Sequence, residues 1–298
     1  MKVIPPPSAG IGAEIRDLDV RALTADRVAA IRDLVVRHKL VVFRGLDLND
    51  DDYLTMARRF GRPQVYFQDH YHHPDHPEIF VSSNVEMGGK KVGVAGTGRF
   101  WHSDYQFFDE PLSWTFVYPK VIPRGDRATL YVDMVAAWRE LPAHLRRELE
   151  HARCFHEAVM YYKVQPRDVD RAIAELMQEF RQLSPGAGHP AVITHPVSGE
   201  QALYVSEGFT MKVEGRSHED SQRILQEVFA FLREPQRVHA HPWGAGDLML
   251  WENRTLIHRS SGIPPGEKSV SYRIGVYDGQ PFYRGCKLEE TRLQEAAS

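Results

Sequence analysis

A His-x-Asp pair, His102 and Asp104, lies inside Phe100-Trp101-His102-Ser103-Asp104-Tyr105, and a third histidine, His258, follows Leu250-Trp251-Glu252-Asn253-Arg254 far downstream. Two imidazoles and one carboxylate are the ligand set of the facial triad, which holds Fe(II) and leaves three cis positions open for oxygen chemistry. On a strand, positions i and i+2 project to the same face, so His102 and Asp104 reach one ion while Ser103 points away. The chain has 15 histidines, so the tripeptide alone has an ordinary explanation as coincidence. Its surroundings argue otherwise. His258 lies just beyond a strand-like run, 247–251, opened by Gly244 and Gly246, and Arg273 follows in a second such run, 271–276. A carboxylate-bearing cosubstrate needs a cation of that kind.

The elements that must position these residues are mixed in order. Val28, Ile31, Leu34 and Val35 predict a helix over 24–39 with Thr24 as N-cap, leading into a buried strand 40–43. A helix over 50–60 with Gly61 at its C-cap follows, then a strand at 79–83. The runs 114–118 and 128–132 read as antiparallel neighbours across a turn-rich stretch, and helical patterns return at 134–150, 168–183 and 219–232. A hairpin joins 191–195 to 202–205. This is not a β-α-β alternation. It predicts a mainly β, α+β fold, a jelly-roll core with helices packed outside, in a single domain over 1–298 carrying insertions.

Composition sets the class. With 42% hydrophobic and 26% charged residues and a formal charge of −3, the chain fits a soluble small-molecule enzyme and has no basic surface for nucleic acid. The N-terminus lacks a signal-peptide h-region and no stretch approaches the ~20 apolar residues of a membrane span, so a cytoplasmic enzyme with no membrane partner is expected. Two cysteines, Cys154 and Cys286, are too few for a disulfide framework and read as inert thiols. Homo-oligomerisation is left open.

The motifs at 100–105, Gly125-Asp126-Arg127-Ala128-Thr129, 246–254 and His258-Arg259 resemble, in order and spacing, the taurine dioxygenase-like Fe(II)/2-oxoglutarate-dependent oxygenases, from near the N-terminus to about Asp278. The resemblance implies a double-stranded β-helix (jelly roll), Fe(II) on His102, Asp104 and His258, O2 and 2-oxoglutarate as cosubstrates, and the far carboxylate of 2-oxoglutarate on Thr129 and Arg273. One departure stands out. The family often carries Arg eleven residues after the distal His, where this chain has Ser269, which leaves Arg273 to serve alone.

A narrower likeness lies in 66–74, 77–84, Tyr162-Lys163-Val164-Gln165-Pro166-Arg167-Asp168-Val169 and Ser206-Glu207-Gly208-Phe209-Thr210, which resemble the isonitrile-forming branch, oxidative decarboxylases of N-carboxymethyl-3-amino fatty acids. It implies that Tyr66, Phe67, Tyr71, Arg127 and Lys163 contact a substrate with carboxylate groups. Phe67 stands where close relatives carry Tyr, and Gly262 where one carries His.

Blander readings accompany these. Lys163 alone reads as a solvated loop lysine, and Tyr66 and Tyr71, five apart, need not share a face. His70, His72, His73 and His76 lack regular ligand spacing and read as polar loop residues. Trp101 and Trp251 read as aromatic packing around the iron ligands. Gly88, Gly89, Gly93 and Gly96 with Lys90 and Lys91 make no phosphate loop, since no Gly-Lys-Ser/Thr follows, and read as a mobile lid. The expected reaction is oxidative decarboxylation to an isonitrile; the alternative is hydroxylation of another small carboxylate or sulfonate.

Overall fold

In the computed structural model, which describes residues 1–6, 10–87 and 89–286, two sheets face each other. The larger runs Lys2–Ile4, Ala13–Arg16, Leu40–Phe43, Leu248–Glu252, Trp114–Val121, Val270–Tyr277, with Arg62–Pro63 and Phe80–Ser83 both paired to the last of these. Among the described strands, Ala13–Arg16 and Leu40–Phe43 alone pair with each other in parallel, beside an isolated parallel bridge between Ser82 and Val94. The smaller sheet places Ala128–Asp133 between Val238–Pro242 and Leu256–Ser260. The strands at 114–121 and 128–133 therefore belong to opposite sheets and are not the neighbours expected: the turn-rich stretch between them carries the chain across the sandwich.

Strand alternation decides which side chains see the interior. Val41, Phe43, Leu248, Leu250, Phe116, Tyr272 and Ile274 pack outward against the helices Ala25–His38 and Asp50–Arg59. Leu40, Val42, Val117, Met249, Trp251, Tyr131 and Leu256 fill the space between the sheets. By the same parity Arg273 points inward from the large sheet, and Arg127, Thr129, His258 and Ser260 point inward from the small one. The outer face of the small sheet carries Val132 and Ile257 into a second core with the helices Met134–Glu140, Ala143–Leu149 and His218–Leu232. The pattern read as one helix over 134–150 breaks at Leu141-Pro142 because proline cannot continue the hydrogen-bonding ladder.

The first helix is capped by Thr24, whose side chain accepts from Arg27 N. The second ends at Phe60 rather than at Gly61. Gly61 has φ +147°, and a Cβ there would lie 2.0 Å from the carbonyl oxygen of Tyr277, so the glycine permits close approach of this turn to the last barrel strand. No helix among the described residues is long and apolar enough to cross a membrane.

Candidate functional site

His102 does not sit on an extended strand. It forms an isolated antiparallel bridge with His258, their N–H groups donating to each other's carbonyls at 3.0 and 2.8 Å. The chain then turns over 103–106, Gln106 N donating to the Ser103 carbonyl at 3.4 Å and Tyr105 adopting φ +61°, and Asp104, inside this turn, faces both rings. His102 Nε2 lies 3.8 Å from Asp104 Oδ1, and His258 Nε2 lies 3.8 Å from Oδ2. One ligand atom from each of the three residues falls within 4.8 Å of the others, and all three residues are buried.

The donor set fits a divalent metal. His102 Nδ1 donates to the Phe100 carbonyl at 2.8 Å, which leaves Nε2 as a bare lone pair. Burial lowers the pKa of His102, and burial together with the neighbouring His102 ring drives that of His258 well down, so both imidazoles are neutral. Burial pushes the carboxyl of Asp104 up, but Arg273, the two histidines and a hydrogen bond from Thr115 prevail and hold it at about 2. It is the anion of the triad.

The Trp-Glu-Asn-Arg run explains how that carboxylate is aimed. Trp251 Nε1 donates to Asn253 Oδ1 at 2.9 Å, Asn253 Nδ2 to Thr115 Oγ1 at 2.9 Å, and Thr115 Oγ1 to Asp104 Oδ2 at 2.6 Å. Ser103, pointing away as expected, donates to the Asn253 carbonyl at 2.8 Å. Glu252, fully buried, accepts from Trp114 Nε1 at 2.6 Å and pairs with Arg254, which also reaches Asp278 at 2.9 Å. These contacts lock the turn that leads to His258.

A cavity of about 370 Å³ opens over the triad. Tyr66, Tyr71, Arg127, Thr129, Lys163 and Arg273 all line it; Phe67 does not. The Phe67 ring packs instead into an aromatic cluster with Phe108 and Phe180, at 5.7 and 5.5 Å, of which Phe180 lines the cavity.

Two cationic poles emerge. On the small sheet, Arg127 donates to Ser260 Oγ and to the Gly262 carbonyl, and its guanidinium lies 4.1 Å from the Trp243 ring centroid. Trp243 Nε1 in turn donates to Thr129 Oγ1 at 2.9 Å. Arg127 Nε is buried without a hydrogen-bond partner, and burial followed by repulsion from Arg99 pulls its pKa down to about 10. On the large sheet, Arg273 donates to Asp104 Oδ1 and lies over the Phe80 and Tyr105 rings, with Tyr66 4.9 Å from Tyr71 and 5.9 Å from Tyr105. Ser269 is tied to Asn84 and stays away from the cavity. At Gly262, the space where a Cβ would project is open.

Lys163 donates to the carbonyls of Ala95 and Gly96 at 2.6 and 3.1 Å. The glycine-rich segment it grips is fastened to the barrel: Val94 N donates to Val81 O, Thr97 Oγ1 to Ser82 Oγ at 2.7 Å, and Ser260 N to Gly98 O at 2.7 Å. The segment expected to form a mobile lid is thus fastened to the barrel at its 94–98 end; Gly88 lies outside the described residues. Two further expectations change. His73 is buried, 3.3 Å from Asp50, and Trp101 faces the helical core rather than the iron side, whereas Trp251 packs on His258 at 4.5 Å. Sequence reasoning missed Arg99, Thr115, Trp243, Asn253 and Ser260; Asn253 and Ser260 carried a signal in their closeness to His258.

Residues 3–274 match the family described as taurine catabolism dioxygenase TauD, TfdA family. The chain is 27% identical over 287 residues to pentalenolactone F synthase of Streptomyces arenae, covering 93% of this chain and 96% of that one. It is 30% identical over 258 residues, 83% of this chain and 88% of the other, to the alpha-ketoglutarate-dependent 2,4-dichlorophenoxyacetate dioxygenase of Cupriavidus pinatubonensis. Among solved structures, a taurine dioxygenase from Burkholderia xenovorans superposes with TM-score 0.73 at 25% identity, over 92% of this chain and 88% of that one. For the fold alone, AAD-2 in complex with Mn(II) and N-oxalylglycine gives TM-score 0.76 over 94% of this chain and all of that one.

Proposed function

From the premise that this chain belongs to the taurine catabolism dioxygenase TauD, TfdA family, Fe(II)- and 2-oxoglutarate-dependent oxygenases with a jelly-roll core, we propose that it oxidises and decarboxylates an N-carboxymethyl-3-amino acid to an isonitrile. The observation that carries the reading is the charge of the cavity: Arg99, Arg127, Lys163 and Arg273 line it against a single carboxylate, Asp104. One dianionic cosubstrate leaves cations over, and a substrate with two carboxylates uses them.

His102, Asp104 and His258 are the residues that would hold Fe(II), which when bound supplies the oxidising power of O2 and 2-oxoglutarate. Thr129, on the strand Ala128–Asp133, and Arg127, just before its start, line the same cavity and are the better pair for the far carboxylate of 2-oxoglutarate. Arg127 is a buried cation with no acid paired to it among the described residues, while Arg273, on the opposite sheet, is engaged by Asp104. Arg273, with Tyr66 and Tyr71, then faces one substrate carboxylate and Lys163 the other. Two anchors hold the intervening C–N unit toward the triad, and the aromatic walls exclude water. Loss of four hydrogens and carbon dioxide, over two turnovers of 2-oxoglutarate, converts the N-carboxymethyl amine to the isonitrile.

The test is to incubate the iron-loaded enzyme with 2-oxoglutarate, O2 and N-carboxymethyl-3-amino acids of several chain lengths. Isonitrile with two succinates per product supports the reading. Hydroxylation of an aryloxy acid or sulfate ester instead, the substrates named for relatives about 30% identical, overturns it and leaves the alternative, a hydroxylase of a small carboxylate or sulfonate.

A further inference from the structure

A second cavity, of about 330 Å³, lies beside the first and shares Arg99 and Phe100 with it. Its floor is Phe100, Trp101 and Val238; its walls are Arg99, Arg233 and Arg259, with Glu207 the one acid. Parity explains the position. His102 and His258 turn into the barrel, so their chain neighbours Trp101 and Arg259 emerge on the reverse face of the same bridge, and the Arg259 guanidinium lies 5.3 Å from the Trp101 ring centroid. Arg233 extends from the end of the helix His218–Leu232 and pairs with Glu207 at 2.7 Å.

The charges do not balance. Glu207 engages Arg233, no carboxylate among the described residues pairs with Arg99 or Arg259, and Arg259 Nε is buried with no hydrogen-bond partner. Three guanidiniums against one carboxylate leave two positive charges around an apolar floor. Guanidinium forks match tetrahedral oxyanions, and a desolvated, unpaired donor marks a missing acceptor. We propose that this groove is a binding site for a phosphate-type dianion, adjoining the iron-site cavity through Arg99 and not resting on the isonitrile reading. The dianion is either free or the head of an organic phosphate monoester, whose apolar part would lie on Phe100 and Trp101.

Calorimetric titration tests this without turnover. The full chain is loaded with Mn(II) and N-oxalylglycine, so that the metal and cosubstrate positions are filled, and titrated at constant ionic strength with inorganic phosphate and with phenyl phosphate. The wild type is expected to bind at 1:1. Arg233→Gln and Arg259→Gln are expected to bind at least about tenfold more weakly, the loss typical of one charge-assisted fork, while Arg233→Lys retains most of the affinity. Tighter binding of phenyl phosphate assigns the site to a phosphate monoester; equal or tighter binding of inorganic phosphate assigns it to the free anion. No binding by the wild type up to about 20 mM, a concentration well above any specific millimolar affinity, overturns the proposal. So does unchanged affinity in both glutamine variants. Arg233 lines only this groove, so its effect separates the site from anion binding over the triad.

Discussion

Arg273 closes onto Asp104: its Nη1 donates to Oδ1 of the triad carboxylate, although its strand belongs to the sheet opposite His258. A cation that awaits a ligand's carboxylate is satisfied by the same oxygen a metal would use. It therefore competes with the metal until another anion draws it away. Arg273→Met should raise the affinity for Mn(II), measured by titration without substrate, by roughly threefold or more, because a like charge leaves the site. Weaker metal binding in this variant would mean that Arg273 helps to build the site.

Each ligand of the triad is needed. His102→Ala, Asp104→Ala and His258→Ala should each abolish iron-dependent succinate release, since losing one of three donors removes most of the affinity. The check is metal content after dialysis alongside 2-oxoglutarate consumption; full activity in any one variant at low iron removes that residue from the metal site.

The two cationic poles divide the anions between them. Arg127→Ala should raise the KM for 2-oxoglutarate by more than about tenfold, the ~1.5 to 3 kcal/mol of a hydrogen bond to a charged group, and Arg273→Ala should raise the KM for the primary substrate instead. Steady-state kinetics with each substrate varied in turn decides. The reverse pattern restores the pairing of Thr129 with Arg273.

Lys163 is needed for the substrate and not for the metal. Lys163→Met should lower product formation by well over tenfold, the ~2 to 5 kcal/mol cost of removing one partner of a desolvated charge pair, while succinate forms uncoupled. Measuring product and succinate together is the test, and a proportional fall in both assigns Lys163 to holding the 93–99 strap alone.

Acid should destabilise the protein through buried histidines outside the site. His156 is fully buried, its Nδ1 meets Thr210 Oγ1 at 3.0 Å and its Nε2 has no partner, and burial followed by repulsion from His189 and Arg153 sets its pKa well below the ordinary value. Below about pH 6.5 the unfolded imidazole takes up a proton that the folded one refuses. The stability is complete above that pH and is lost as pH falls toward the folded pKa, with a slope of up to about 1.4 kcal/mol per unit. Urea denaturation of metal-free protein should show the fall between about pH 7 and 5.5, and His156→Phe should flatten it; an equal slope in the variant assigns the loss to other groups.

The triad, the jelly-roll class and most helices were legible in sequence because they rest on local signals. Strand parity, Thr24 as a cap and the His-x-Asp spacing each need only a few neighbouring residues. Arg273 stood out as a cation in a strand-like run, but that Arg127 and Thr129 share a face emerged only with the sheet they border. Tertiary structure decided the rest. Whether 114–121 and 128–133 pair depends on which sheet each joins, and the connection between them does not encode that. Asp104 lies inside a turn over 103–106 and meets both histidines at 3.8 Å, where an extended strand would have left it beside His102. Arg99, Arg233 and Arg259 lie far apart in sequence and become a site only because Trp101 and Arg259 emerge behind a bridge between residues more than a hundred positions apart. Charge balance in a cavity depends on every element that lines it, and no local window of sequence contains that sum.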